Sequence, residues 1–276
     1  MRSTILKLVV VLVIGLVVLE GVSRYLQKPN RVTPAGDPEF LLATTWHQID
    51  EYAASAPDGE IVGCWATAIA QIAYHHRLSP KGYMEYTTTS GLHVQENLGS
   101  VPFRFDRILS RIDSDSPPEA AQETARYIYE VAVAIQKDFG GDGIMDHQGF
   151  IGRLHDHLGA TGLLREYTKA EFLESRAEVS SFVTSELDDG RPLMLYFDNG
   201  KDWGHAAVLD GYVIDGGRLL VHLNMGWEGR DDGWYDPFQK IMGVRDDLQT
   251  RFLLSVRPAE VPAPPQPPAN TLEPLD

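Results

Sequence analysis

The sequence predicts an α+β fold in which helices and sheet occupy different stretches of the chain. Three observations carry this expectation. Across Cys64 to Asp188 the apolar residues recur at helical spacing in four separate stretches. From Pro192 to Leu223 they gather instead into short continuous runs. Asn199-Gly200 and Gly216-Gly217 separate those runs, and such dipeptides turn one strand into the next.

Each element has its own justification. In the run from Cys64 to His76, Ala66, Ile69, Ala70 and Ala73 share a stripe, with Trp65 and Ile72 on an adjoining face. A helix therefore opens at Cys64, and Ser79-Pro80 halts the pattern. A second helix covers Pro118 to Asp138, where Ala125, Ile128, Tyr129, Ala132 and Ile135 line up. Two more are expected over 148–158 and 169–188. Strands are expected over Pro192–Phe197, His205–Ile214 and Leu219–Leu223.

The two ends of the chain differ from its middle. Ile5 to Leu19 is apolar apart from Lys7, and the stretch Leu8–Leu19 has the length of an export signal rather than of a full span. No Ala-x-Ala-like cleavage site follows it, so both a membrane tether over residues 5–22 and a cleaved signal peptide remain open. Either implies an exported protein, membrane-anchored or secreted. Pro29 to Pro38 reads as a linker, and Pro258 to Asp276, with seven prolines, as an extended tail. The expected organisation is thus an anchor or signal with linker over 1–35, a folded domain over 36–257 and a disordered tail over 258–276.

Composition removes several functions. With 24 Lys and Arg against 39 Asp and Glu, the net charge is −15, and no stretch concentrates basic residues. Binding to nucleic acid relies on neutralising phosphates, so it is not expected. Cys64 is the single cysteine, which excludes an intrachain disulfide and any CxxC site. HExxH, GxSxG, Walker A and GxGxxG motifs are absent. His75-His76 and His155-Asp156-His157 do not share a helical face, and Asp142-Gly143 with Asp146 is too sparse for an EF-hand. Neither cofactor nor metal is expected.

One constellation does carry chemistry. A thiol that attacks a carbonyl must first ionise, and a helix N-terminus and an imidazolium both favour the thiolate. Cys64 opens a long helix, and Gly63 gives the backbone freedom to turn into it. That helix end also presents amide groups to a developing oxyanion. His205 begins a strand 141 residues later, between small residues that leave room for its ring. Asn224, in the following strand, has a side-chain carbonyl suited to holding the second ring nitrogen. Gln48 precedes the helix and could supply a second oxyanion donor. Each residue alone has an ordinary structural role; their combination in this order points to a cysteine hydrolase. Asp210 reads as a structural carboxylate at a strand end.

The same segments resemble the streptopain family of papain-like cysteine peptidases over most of residues 44–255. Gly63-Cys64-Trp65-Ala66-Thr67-Ala68 continues through Gln71 to His75 in the family's pattern. Gly204-His205-Ala206-Ala207, His222-Leu223-Asn224-Met225-Gly226-Trp227 and Asp232-Gly233-Trp234-Tyr235 give further blocks. Trp46-His47-Gln48 resembles the family's Trp-Asn-Gln. The resemblance implies a papain-like two-lobed fold, with a helical lobe headed by Cys64 and an antiparallel sheet lobe carrying His205. It further implies Cys64 as nucleophile, His205 as general base and acid, Gln48 as oxyanion donor and Asn224 as the residue holding His205. The implied substrate is a peptide or protein, bound by a monomer in a cleft lined by Gly63, Trp203, Gly204 and Trp227. Deamidation or acyl transfer by the same thiol, or binding without catalysis, are the alternatives.

Two departures from the family pattern matter. Met225 replaces a Trp whose indole is expected to cover the His–Asn pair. About thirty residues separate the apolar run from Gln48, so an inhibitory prosegment like that of the family's secreted members is not expected.

Overall fold

A computed structural model describes residues 29–242 and 250–259, with the side chains of Thr250 and Arg251 outside the description. The apolar run at the N-terminus and nearly all of the Pro-rich tail lie outside these residues. Among the described residues no helix is long and apolar enough to cross a membrane.

Helix α1 runs Gly63–His75 and is the pivot of the molecule. Residues 65–73 are all buried, as expected of a helix that is apolar all round and sits inside a core. It ends at His75, before Ser79-Pro80, because Arg77 adopts a left-handed backbone with φ 53°. Helix α2, Pro118–Ala134, begins with proline at a position whose N–H has no helical partner. It stops short of Asp138 because Gln136 turns left-handed, with φ 56°. Helix α3 is Phe150–Leu158, closed by Gly159 in the left-handed region. The single helix expected over 169–188 is two, α4 (Lys169–Glu174) and α5 (Arg176–Asp188). A capping box between Thr168 and Glu171 starts α4, and Ser175 leaves helical geometry between the two.

Among the described residues eight strands form two sheets. A hairpin of β1 (Gly82–Thr87) and β2 (His93–Leu98) stands alone. The main sheet contains β3 (Ala160–Thr168), β4 (Leu193–Asp198), β5 (Gly204–Asp215), β6 (Arg218–Asn224), β7 (Gly233–Tyr235) and β8 (Thr250–Pro258). Its order is β3-β8-β4-β5-β6-β7, with every neighbour antiparallel. Val32 adds an antiparallel bridge to Trp234 at the outer edge.

Strand alternation divides the core in two. Met194, Ala206, Val208 and Leu254 face α1 and its surrounding helices. Leu195, Ala207, Leu209 and Leu253 face the opposite side, against Val179 and Phe182 of α5. Helices thus cover both faces of the sheet, an α+β arrangement with α1 against the face that leads to the site.

Candidate active site

Cys64 is the second residue of α1, and Gly63 makes that placement feasible. Gly63 has φ +76°, a conformation that disfavours any residue with a Cβ. No side chain caps the helix, so its first amides stay available to a ligand. The half-buried thiol faces the backbone amide of Ala206, one residue beyond His205. Burial pushes the thiol's pKa up, and the amides of Ala206, Trp65 and Cys64 together with Lys137 pull against that rise. Desolvation is the larger effect on the resting thiol and outweighs the pull of the helix-end amides toward the thiolate.

His205 is the second residue of β5 and only 4% exposed. The indole of Trp227 lies 4.4 Å from its ring, with Phe197 at 5.8 Å and Trp203 at 6.3 Å. Nε2 lies 2.9 Å from the backbone carbonyl of Met225. A carbonyl only accepts, so Nε2 carries the proton and donates it, which leaves the Nδ1 lone pair as the base. Burial lowers the ring's pKa to about 4, against a small opposing effect of the Met225 carbonyl. The resting pair is therefore a thiol and a neutral imidazole. No hydrogen bond joins Cys64 Sγ to His205 among the described residues; such bonds often form only once substrate is bound.

The partner of His205 differs from expectation. Asn224 makes no hydrogen bond to the ring, for a reason of parity. It sits opposite Val208 in the β5–β6 register and so faces α1, whereas His205, in step with Ala207 and Leu209, faces the other side. The orienting group is instead the main-chain oxygen of Met225. Asn224 acts one step back: its Oδ1 accepts from Gly226 N–H at 3.0 Å, fixing the peptide unit whose oxygen receives the imidazole proton. Asn224 is itself clasped by Gln71 of α1, with Nδ2 to Oε1 at 3.1 Å and Oδ1 from Nε2 at 3.2 Å. Its Nδ2 also donates to Thr44 O at 2.6 Å. Asp232 Oδ1 accepts from Met225 N–H at 2.7 Å and secures the segment from the far side.

Met225 proves no gap in the cover of the ring. Its side chain is fully buried in the sheet-side core, and Trp227 supplies the covering indole. Gln48 lines a cavity of 120 Å³ together with Gly63, Cys64 and Lys137, and its Nε2 reaches Gly226 O at 3.4 Å. A larger cleft of 590 Å³ opens on the other side of Cys64, floored by Trp65, Tyr196 and Phe252 and bordered by Trp203 and Gly204. Gly204 is required there, because a Cβ would meet the Tyr196 hydroxyl at 2.1 Å. The expected cleft residues thus divide: Gly63, Trp203 and Gly204 line cavities at Cys64, while Trp227 roofs His205. Asp210 lies buried, paired with His222 Nδ1 at 2.6 Å and away from the His205 ring's partner.

Sequence reasoning assigned no role to Gln71, Asp232, Lys137 or the Met225 carbonyl. Gln71 and Asp232 fall inside the recognised blocks, and a buried amide on an otherwise apolar helix was a usable signal for the first. A main-chain oxygen leaves no signature in side-chain identity. Among the described residues no group of three or more His, Cys, Asp or Glu is placed to hold a metal ion.

Comparison with known proteins bears on the family and the fold. The model of the Peptidase C10 family matches residues 46–235. Streptopain of Streptococcus pyogenes is 26% identical over 183 residues, which cover 63% of this chain and 44% of streptopain. The match thus spans less than half the length of that relative. Among solved structures, the interpain A cysteine protease of Prevotella intermedia superposes with a TM-score of 0.66 at 23% identity, covering 81% of this chain and 97% of that one. A prointerpain A fragment from the same organism gives a TM-score of 0.62 at 22% identity, covering 86% and 79%. At these identities the structural likeness establishes the fold.

Proposed function

Since the chain belongs to the Peptidase C10 family, we propose that it is a cysteine peptidase that hydrolyses peptide bonds through Cys64 and His205. The observation that carries this reading is Cys64 at the N-terminus of α1, its thiol against the amide of Ala206, next in the chain to His205, with Gln48 on the same cavity. An extended peptide lies in the 590 Å³ cleft and brings its scissile carbonyl carbon to Cys64 Sγ. As sulfur attacks, its proton passes to His205 Nδ1, and the carbonyl oxygen becomes an oxyanion. The Cys64 amide and Gln48 Nε2 are the donors suited to that oxygen. Collapse breaks the C–N bond, His205 returns the proton to the leaving amine, and a thioester remains on Cys64. Water, deprotonated by His205, then attacks the thioester, releasing the acid and restoring the thiol.

In this scheme Asn224, Gln71 and Asp232 are positioning residues. They fix the 224–226 segment, whose Met225 oxygen accepts from His205 Nε2 and leaves Nδ1 free to take a proton. Trp227 excludes water from that bond, which strengthens it. The apolar run Leu8–Leu19 supports an exported location for the domain, tethered or released, where it acts as a monomer on protein substrates. Digestion of casein by the whole chain, followed by mass spectrometry of the products, tests the reading. New peptide ends absent with Cys64→Ala support it, and equal digestion by that variant rejects it.

A further inference from the structure

Lys137 is a buried cation that the hydrolytic scheme does not use. It follows α2 where the left-handed Gln136 turns the chain back over the nucleophile. It is 2% exposed. Its aliphatic stem lies along Gly63: a Cβ there would stand 3.0 Å from Cε and 3.9 Å from Nζ. Lys137 and Cys64 line the same cavity. The ammonium donates to the carbonyls of Asp138 and of Gly141, the latter at 3.0 Å, so the loop anchors it beside the start of α1.

We propose that the Lys137 ammonium is the fixed cation that favours the Cys64 thiolate, a positioning residue acting through its field at the sulfur. The inference rests on Cys64 being the nucleophile. Burying an ammonium is costly, and a neutral amide could tie the same two carbonyls at less expense; what lysine adds is charge. The site needs that charge, because the buried His205 ring is held neutral down to a pH of about 4 and offers no imidazolium. Lys137 opposes the upward push of burial on the thiol, and the thiolate in turn favours the charged amine. Burial is the largest influence on the Lys137 amine and lowers its pKa, and Asp138, Asp142 and Glu60, which also face it, work against that fall. Tyr196 is the remaining titratable group that senses the thiolate, and burial holds its hydroxyl neutral, pushed up to about 12.

The test is the pH dependence of iodoacetamide alkylation of the whole chain, with Lys137→Gln and Lys137→Arg alongside. Gln keeps a donor for the loop carbonyls and removes the charge, so a purely structural lysine would leave its profile unmoved. The proposal predicts that Lys137→Gln moves the alkylation midpoint upward by about one pH unit, slowing the reaction near neutrality about tenfold, and that Lys137→Arg restores it. A Lys137→Gln profile that superimposes on the wild-type curve overturns it. Should that variant not fold, carbon-13 NMR of lysine in the unsubstituted chain answers the same question, because coupling between two sites is reciprocal. The Lys137 signal should then follow Cys64 ionisation and lose that response in Cys64→Ser; an identical titration in both chains overturns the proposal. Casein hydrolysis in the same samples separates the two readings. Hydrolysis by the unsubstituted chain with an unshifted Lys137→Gln profile rejects the role of Lys137 alone, and a shifted profile with no hydrolysis by the unsubstituted chain rejects the peptidase reading alone.

Discussion

Acid should destabilise this protein through His205 in particular. The ring is enclosed by Trp227, Phe197 and Trp203, with one carbonyl partner, and burial lowers its pKa to about 4 from 6.5. A histidine whose folded pKa is depressed binds fewer protons folded than unfolded, so stability rises with pH between these two values and is complete above the higher one. Lowering the pH from 7 to 4 moves through that window. A difference of roughly 2.5 units at 1.36 kcal/mol each makes the loss about 3 kcal/mol. His205→Gln removes the titration while keeping an amide donor for the Met225 carbonyl. Urea unfolding of both chains at pH 7 and pH 4 gives the comparison. The variant should lose about 3 kcal/mol less stability than the wild type over that interval. His76, whose ring is also held at about 4 by burial, is common to both and cancels. Parallel losses in the two chains would refute the claim that the resting imidazole is buried and neutral.

Three further outcomes follow from the same geometry. Asn224→Ala strips partners from Thr44 O, the Gln71 amide and Gly226 N–H, so urea unfolding should show a loss of about 2–5 kcal/mol along with reduced turnover; lost turnover at unchanged stability would restore a direct contact with His205. Gln48→Ala should lower kcat by about 10²–10³ in a folded protein, and wild-type kcat would remove Gln48 from the site. Asp232 is pushed up to about 6 by burial, so its folded form holds a proton that the unfolded chain releases nearer pH 4, and its contribution is lost as pH rises through 6. Asp232→Asn keeps an acceptor for Met225 N–H and should be more stable than wild type at pH 8 by about 1–2 kcal/mol, the full shift being discounted for partial exposure, with no gain at pH 3; destabilisation at pH 8 would contradict this.

Much of the site was legible before any coordinates. The run after Gly63 combines helical periodicity with a glycine start, and both survive in α1. The strands of β4, β5 and β6 were visible because each is a buried apolar run. What escaped notice had physical reasons. Strand β3 is exposed along much of its length, so it shows no apolar alternation, and it pairs with β8, about ninety residues away in sequence. The β1–β2 hairpin buries few side chains on one side only. The break between α4 and α5 depends on the geometry of one serine, Ser175, which does not interrupt the apolar pattern. The hydrogen bond expected between Asn224 and His205 is not the one the register allows. Which face of a strand a side chain occupies depends on register with its neighbours, and the irregularity between Leu209 and Gly211 makes the β5–β6 register hard to count from sequence.

The central claim is that Cys64 attacks a carbonyl while His205 carries the proton, and an acyl-enzyme is its direct product. The whole chain mixed with a peptide p-nitrophenyl ester and quenched in acid should show a burst of nitrophenol equal to the protein present. Peptide mapping should place the acyl mass on Cys64 as a hydroxylamine-labile thioester, absent in Cys64→Ala. Steady ester hydrolysis with no acyl mass on Cys64, persisting undiminished in Cys64→Ala, would contradict the account.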